Sequence, residues 1–320
     1  DKIILSSDKG KPMYREKDLI DVWFDSGAMP YAQVHYPFEN KEFIDKKKLF
    51  PADYIAEGVD QTRGWFYTLH VISAIVFDSI SYKNVISNGL VLDKNGLKMS
   101  KRLGNSIDPF ETISKYGPDA TRWYMISNSN PWDNLKFDLG GVDEVKRKFF
   151  GTLYNTYSFF ALYANIDGFK YDEKEIEFDQ RPELDRWILS ELNSLIINVD
   201  EYYNDYEPTK AARAINSFVI DNLSNWYVRL SRRRFWKGDY EKDKISAFQT
   251  LFDVLINIAK LAAPISPFFM DRLFIDLSKN LNQSFSEGIH LENFPIADKS
   301  KIDKKLEEKV KYAQTISSLA

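Results

Sequence analysis

The sequence contains no cysteine and only three histidines, and these shortages exclude several kinds of site. Without cysteine the chain has no disulfide bonds and no thiolate metal ligands. The histidines, His35, His70 and His290, stand far apart along the chain. Structural zinc sites take their ligands from closely spaced cysteines and histidines. We therefore expect no zinc site and no other resident metal in this chain.

The chain also lacks a membrane-length apolar run and a strong excess of charge of one sign. No such run or signal peptide is recognisable, so we expect a cytoplasmic protein. Lys and Arg number 43 against 47 Asp and Glu, which gives a net charge of −4. A bulk polycation is excluded, and contact with nucleic acid requires a local basic patch. The length of 320 residues predicts two domains.

Residues 1–142 mix strand-like and helix-like segments joined by short connections. The order strand, helix, strand predicts an α/β layer that is parallel in part. The predicted elements are a short buried strand at 20–24, a strand at 52–58, a helix at 62–77, a strand at 85–92 and a turn, DKNG, at 93–96.

Residues 143–320 have a different character, because glycine becomes rare and amphipathic stretches follow one another. Their helical spacing predicts an all-α bundle after the α/β domain. Pro264 and Pro267 should break the last long helix. The predicted helices span 142–164, 184–204, 208–236 and 244–277.

The stretch LKMSKRLGNS, 97–106, places Lys98, Lys101 and Arg102 within five positions between two glycines. Taken alone, it could be a solvated basic loop. The string KMSKR followed by LGN, however, resembles the KMSKS loop of class I aminoacyl-tRNA synthetases. The resemblance implies the C-terminal half of a Rossmann-like catalytic domain, with the KMSKR loop facing the triphosphate of ATP bound with Mg²⁺.

This resemblance also assigns roles within the loop. Lysines suit phosphoryl chemistry because they are mobile point charges that can stabilise charge developing on the phosphates. Lys98 and Lys101 are therefore the candidate catalytic residues. Met99, Ser100 and Arg102 are candidates for binding ATP or the adenylate.

A second motif, EGVDQTRGWF at 57–66, offers two carboxylates before a predicted helix. One interpretation is a helix N-terminus where Asp60 lies near exposed amides. The motif also resembles the segment that lines the adenylate pocket of isoleucyl-, valyl- and leucyl-type synthetases. That resemblance implies contacts with the ribose and the amino group of the adenylate from Glu57, Gly58, Asp60 and Gln61.

A third motif, DVWFDSG at 21–27, resembles an element of isoleucyl-tRNA synthetases and indicates isoleucine as the amino acid. Trp23 and Trp65 would then form apolar walls of the amino-acid pocket. Core packing is the alternative role for Trp65.

A fourth motif, NWYVRLSRRRFWK at 225–237, interleaves basic and aromatic residues without an acid. It resembles the start of the anticodon-binding bundle in isoleucyl enzymes, which implies tRNA contact through Arg229, Arg232, Arg233 and Arg234. The alternative is that these arginines pair with acids on neighbouring helices.

The HIGH motif of the family is absent from the sequence, and the first residue is Asp1. We therefore expect a fragment of an isoleucyl-type ligase that is inactive alone, with a bundle truncated at its C-terminal end. The intact enzyme would be a monomer that activates isoleucine with ATP and transfers it to tRNA(Ile). Alternatives are a valyl enzyme, a non-catalytic tRNA-binding module with the same fold, and a helical interaction protein.

Overall fold

The structure is a computed structural model that describes residues 3–279 and 287–319. The chain forms two units, Asp1–Leu90 with Pro131–Asn134, and Val91–Asn130 with Leu135–Ala320. This division does not follow the predicted boundary at residue 142, since the KMSKR segment belongs to the second unit. The assignment of domains 1–142 and 143–320 stays a prediction.

The first unit is built around two parallel strands joined by a helix. Its elements are β1 Leu5–Ser6, β2 Pro12–Met13, α1 Val22–Gly27, α2 Met29–Ala32, α3 Lys41–Asp45, β3 Ala52–Gly58, a 3₁₀ turn Val59–Arg63, α4 Trp65–Phe77 and β4 Tyr82–Asn88. β3 pairs with β4 from Ala52 opposite Tyr82 to Gly58 opposite Asn88, and β1 pairs antiparallel with β2. The predicted strand at 52–58 and the helix that follows it are confirmed.

The predicted buried strand at 20–24 is wrong, because the structure forms helix α1 there. Asp21 Oδ1 accepts a hydrogen bond from the Trp23 amide at 2.7 Å, and the Asp21 carbonyl accepts one from Phe24 at 2.9 Å. These bonds cap the helix and turn the chain out of an extended conformation. The segment is not buried either, since Phe24 is 50% exposed.

The predicted strand at 85–92 is interrupted at Gly89. A Cβ at this position would lie 2.2 Å from the carbonyl oxygen of Asp133, so only glycine fits. β4 ends at Asn88, and Val91–Leu92 forms a separate strand in the second unit. The apolar run 85–92 therefore predicted one strand. The close approach of the Gly89 and Asp133 backbones divides it into β4 and β5.

The second unit contains one short parallel sheet and a series of helices. Its elements are β5 Val91–Leu92, a 3₁₀ turn Lys101–Leu103, α5 Pro109–Tyr116, α6 Pro118–Asn128, β6 Leu135–Lys136, α7 Leu139–Val145, a π-helical segment Lys146–Phe150, α8 Gly151–Asp167, α9 Glu183–Asn204, α10 Pro208–Ser217, a π-helical segment Phe218–Val228, α11 Arg229–Trp236, α12 Lys242–Ala262, α13 Pro267–Ser278 and α14 Lys304–Leu319, with shorter 3₁₀ turns between them. The predicted helical bundle is confirmed.

One continuous apolar cluster fills the second unit. Its fully buried large side chains include Trp123, Trp187 and Phe248. The long helix predicted at 244–277 divides where proline requires it, because α12 ends at Ala262 and α13 starts at Pro267. The packing of amphipathic faces around α12 thus explains the helical periodicity of the sequence.

Helix α12 is also long and apolar enough to cross a membrane, by length and composition alone. This differs from the expectation that no apolar run reaches that length. Most of the helix is buried among the other helices of the second unit. Its apolar composition is thus accounted for by the core of the bundle.

Candidate functional site

The KMSKR segment leaves β5 through the predicted turn, which the structure confirms. The Asp93 amide donates to Leu97 O and the Gly96 amide donates to Asp93 O, both at 2.9 Å. Gly96 has φ +85° and Gly104 has φ +67°. Both values lie in the left-handed region that glycine adopts without strain. The glycines on either side of the cations are therefore required by the backbone.

Polar side chains fix the path of the backbone between these glycines. Asn105 Oδ1 accepts from the Ser100 amide at 2.9 Å, while Asn105 Nδ2 donates to Asp93 Oδ2 at 3.0 Å and to Lys98 O at 3.3 Å. Ser100 Oγ accepts from the Leu103 amide at 3.2 Å and caps the short 3₁₀ turn. The loop is therefore a defined structure held by side-chain hydrogen bonds.

The three cations of this segment, Lys98, Lys101 and Arg102, are exposed to solvent. Within residues 3–279 and 287–319 no carboxylate lies within ion-pairing distance of any of them. Elsewhere in the second unit, lysines and arginines commonly do have such partners, as Lys260 has in Glu292. The segment therefore presents concentrated positive charge that nothing in the described chain neutralises.

Met99, predicted to contact the nucleotide, is half-buried. Its side chain packs against the core of the second unit. It lines an apolar cavity of about 190 Å³ together with Val91, Ile107, Met125 and Phe137, among others. The core thus engages part of the Met99 side chain, and its contact with a nucleotide stays a prediction.

The residues of the EGVDQ motif lie in the first unit, at the end of β3 and in the following turn. Glu57 and Asp60 are exposed. A Cβ at Gly58 would lie 2.6 Å from Asp60 Oδ1, so glycine leaves room for that carboxylate. Gln61 Oε1 accepts from the Trp65 amide at 2.8 Å, and Gln61 Nε2 donates to Asp60 Oδ2 at 3.2 Å. Gln61, rather than Asp60, thus caps helix α4.

Trp23 and Trp65 lie near each other in the first unit. Trp65 Nε1 donates to the carbonyl oxygen of Ser26 in α1 at 3.0 Å. A Cβ at Gly64 would lie 3.5 Å from ring atom Cη2 of Trp23. Trp23 is 41% exposed and Trp65 is half-buried. The structure thus brings the two predicted walls together, and it also gives Trp65 a structural contact with α1.

The basic helix α11 separates its arginines into two groups. Arg229, Arg232 and Arg233 are exposed. In the part of the chain that the structure describes, none of their guanidinium groups makes a hydrogen bond or an ion pair. These three side chains remain available to an anionic partner.

Arg234 instead has partners within the protein. It forms two hydrogen bonds with Asp185, Nη1 to Oδ1 at 2.6 Å and Nη2 to Oδ2 at 2.8 Å, and a third with Asp243 at 3.0 Å. Burial opposes its charge, but the bonds to Asp185 prevail and raise the pKa of Arg234 above its ordinary value. For this arginine the structure favours the alternative of a strut between helices, and we do not retain it as an RNA contact.

The carboxylate of Asp185 is fully buried and also accepts hydrogen bonds from Tyr227 at 2.9 Å and Ser246 at 2.6 Å. Burial and then the charge of Asp185 raise the pKa of Tyr227, so its hydroxyl stays protonated and donates. No sequence pattern indicated this network, since its members are up to 61 residues apart.

Two further residues were missed, Asp93 and Asn105. Both stood inside quoted motifs, the turn DKNG and the string LGN. Asp and Asn commonly bond backbone amides in turns, and this was the signal available. No group of three or more His, Asp or Glu that could hold a metal occurs among the described residues.

Two family models match the chain. The model "tRNA synthetases class I (I, L, M and V)" covers residues 1–138, and the model "Anticodon-binding domain of tRNA ligase" covers residues 185–320. The first contains the KMSKR, EGVDQ and DVWFDSG motifs. The second contains helix α11.

Relatives with high identity match the whole length of the chain. The isoleucine–tRNA ligase of Bacteroides thetaiotaomicron is 65% identical over 319 residues, which are 100% of this chain and 28% of the relative. That of Cytophaga hutchinsonii is 64% identical over 319 residues, with coverage of 100% and 29%. That of Clostridium acetobutylicum is 47% identical over 320 residues, with coverage of 100% and 30%. The chain thus spans about three tenths of the length of these relatives.

A solved structure supports the same fold. The crystal structure of the LeuRS of Agrobacterium radiobacter, in a ternary complex with tRNA and LeuAMS, aligns with a TM-score of 0.70 at 18% identity. The alignment covers 94% of this chain and 36% of the other. At this identity the likeness concerns the fold alone.

Proposed function

Because the chain belongs to the class I tRNA synthetases, and isoleucine–tRNA ligases match it from end to end, we propose that it supplies the KMSKR loop and the anticodon-binding bundle of an isoleucine–tRNA ligase. The reaction would join isoleucine to ATP as isoleucyl-adenylate and then transfer isoleucine to tRNA(Ile). The observation that carries the proposal is the set of exposed cations Lys98, Lys101 and Arg102, which have no ion-pair partner in 3–279 and 287–319 and lie on a loop with a fixed backbone.

In the first step a carboxylate oxygen of isoleucine attacks the α-phosphorus of ATP. The bond from the α-phosphorus to the bridging oxygen breaks, and pyrophosphate leaves with the negative charge that develops. Lys98 and Lys101 would stabilise that charge, with Arg102 beside them. Mg²⁺ would enter with ATP, bound by phosphate oxygens, to which it is well suited as a hard cation.

The residues of the first unit would bind the other parts of the adenylate. Glu57 and Asp60 are exposed carboxylates that can accept from ribose hydroxyls or pair with the isoleucine ammonium group. The Gln61 amide already has partners in Trp65 and Asp60, so its role would be to orient Asp60. Trp23 and Trp65 would bound the apolar side chain of isoleucine.

In the second step a ribose hydroxyl of tRNA attacks the carbonyl carbon of the adenylate, and AMP leaves. Contact with tRNA is assigned to Arg229, Arg232 and Arg233, because these arginines are exposed and can reach phosphates. We also propose that the whole ligase acts as a monomer in the cytoplasm.

The test is Lys101→Ala in the whole ligase, measured by isoleucine-dependent ATP–pyrophosphate exchange. Loss of one preorganised charge at the reacting phosphates should lower kcat by about 10²–10³-fold, with little change in the KM for ATP. Lys94→Ala is the matched control, an exposed lysine in the preceding turn, and should remain near wild type.

A normal single-turnover rate in the Lys101→Ala variant would contradict the catalytic role. Exchange that depends on valine rather than isoleucine would instead favour the valyl alternative.

A further inference from the structure

Asn105 connects two backbone groups within KMSKR, although it stands after these five residues in the sequence. It accepts from the Ser100 amide at 2.9 Å and donates to the Lys98 carbonyl at 3.3 Å. These two backbone groups flank Met99. One side chain therefore fixes the peptide units on both sides of Met99, which lies with Ser100 between the two catalytic candidates.

Asp93 in turn fixes Asn105. Its Oδ2 accepts from Asn105 Nδ2 at 3.0 Å, while its Oδ1 accepts from the amides of Asn95 at 2.9 Å and Leu97 at 2.8 Å. Asp93 is buried. The hydrogen bond from Asn105, followed by the bonds from the backbone, lowers the pKa of Asp93, so the carboxylate is charged and accepts only.

The apolar side of the loop supplies a second anchor. Met99 packs against the core and lines the cavity of about 190 Å³ beside Val91 and Phe137. With Met99 directed inward and the peptide units on both sides of it fixed by Asn105, Lys98 is directed outward. The outward direction of Lys98 thus follows from two anchors, the Asn105 amide and the Met99 side chain, that carry no positive charge.

We propose that Asp93 and Asn105 are positioning residues for the KMSKR lysines, and that their mutual hydrogen bond orients Lys98 and Lys101 toward the reacting phosphates. This inference depends on the proposed function and deepens it. Asp93 and Asn105 do not touch the substrate in this proposal. They act through the backbone from Lys98 to Ser100.

The orientation of Lys98 and Lys101 should affect the rate of adenylate formation more than it affects the binding of ATP. A flexible lysine still attracts a triphosphate, because the attraction depends on charge and falls slowly with distance. Stabilising the transition state requires the charge at one position, and a misplacement of 1 Å can cost about 100-fold in rate. Loss of the pair should therefore lower kcat and leave the KM for ATP within about threefold of its starting value.

A reciprocal exchange of the two residues tests the hydrogen bond itself. Asn105→Asp alone places two carboxylates against each other, and Asp93→Asn alone places two amides together. In the double variant the new amide at position 93 can donate to the new carboxylate at position 105. That carboxylate can still accept from the Ser100 amide, but it cannot donate to the Lys98 carbonyl, which it would face oxygen to oxygen, so we expect the recovery to be incomplete.

In the whole ligase we expect each single variant to lower the kcat of isoleucine-dependent ATP–pyrophosphate exchange by roughly tenfold to 100-fold. The double variant should recover to within about fivefold of wild type. Hydrogen exchange of the amides in 97–106 should be faster in the single variants and slower again in the double variant. Lys94→Ala is the matched control, an exposed lysine in the same turn, and should change neither measurement.

The outcomes separate the inference from the proposed function. Single variants with wild-type kcat, or a double variant no better than the single ones while tRNA affinity is normal, would overturn the positioning role. A wild-type ligase without isoleucine-dependent exchange would overturn the proposed function, and with it the kinetic part of this inference. In that case recovery of slow hydrogen exchange in the double variant would still support the pair as the element that orders the loop.

Discussion

The first unit buries five hydrophobic side chains among its described residues, Ile44, Phe50, Phe66, Leu69 and Ile86. In the second unit one cluster of buried side chains runs from Ala120 to Leu306. The first unit also exposes large apolar residues such as Leu19 at 88% and Ile75 at 79%. The two units thus differ in how much of their stability can come from their own core.

The same contrast appears in their ion pairs. In the first unit Lys83 pairs with Asp53 at 2.6 Å while both side chains are largely exposed. In the second unit Arg234 pairs at 2.6 Å with Asp185, which is fully buried and accepts from Tyr227 and Ser246 as well. The distances are equal, so burial and additional partners, rather than distance, should determine what each pair contributes.

The largest effect should come from testing the 320-residue chain without the rest of a ligase. We expect no isoleucine-dependent ATP–pyrophosphate exchange, because the chain contains no His-x-Gly-His string and the KMSKR cations alone cannot hold the α-phosphorus for attack. Binding of tRNA to the second unit should persist, since this unit has its own core. Exchange above background from the purified chain would contradict this division of roles.

The next effect concerns the two ion pairs. Asp185→Ala removes the carboxylate that pairs with the half-buried Arg234 and accepts from the buried Tyr227, and leaves Arg234 only its bonds to Asp243. It should lower the free energy of unfolding by about 3–5 kcal/mol. Asp53→Ala, the matched change at the exposed pair, should lower it by only about 0–1 kcal/mol. Denaturant unfolding followed by helical circular dichroism gives both values. Equal losses of unfolding free energy in the two variants would show that burial does not determine what each ion pair contributes.

A smaller effect is expected for the proposed amino-acid pocket of Trp23 and Trp65. Trp65→Ala should raise the KM for isoleucine and loosen side-chain selectivity in the whole ligase. Apolar pocket contacts are worth about 1–3 kcal/mol, and isoleucyl enzymes are themselves the standard example of this limit. Trp65→Phe is the control, because it keeps an aromatic wall but loses the bond to Ser26 O. If both variants lose selectivity equally, the anchoring of α1 is the role of Trp65.

Changing the exposed arginines of α11 should have the smallest effect per residue, and that effect should be on tRNA binding. Reversing the charge of Arg229 and Arg233 together should weaken binding and reduce the slope of log K against log salt by about 0.7–0.9 for each phosphate that is no longer neutralised. Isoleucine activation should stay near normal. Lys305→Glu, at an exposed lysine of α14, is the control. Unchanged affinity and slope in the double variant would assign these arginines to the solvated surface.

Much of the architecture could be predicted because it depends on local pattern. Helical periodicity placed α9 and the start of α12 within one or two residues of their observed positions, and the proline pair placed the break after α12. The strand at 52–58 was also predictable, since its sequence leads directly into a helix. Segment 20–24 was predicted incorrectly, because its few apolar residues suit a strand and Asp21 decides for a helix only by capping it.

The candidate site was predictable where motifs are contiguous. KMSKR, EGVDQ and DVWFDSG each lie within a few residues, so the sequence by itself determined the family and the fold class, and it supplied the candidate site residues. Helix propensity and turn chemistry act over such short distances, and local sequence is therefore sufficient to determine them.

Only the tertiary structure decided what neighbouring residues of the same type do. Arg233 and Arg234 are adjacent in the sequence, yet one is exposed and the other is bonded to Asp185, 49 residues away. Likewise Asn105 acquires its role by facing Asp93 across the turn. Burial and the opposite partner set the energy of a charge or an amide, and both depend on the packing of distant segments.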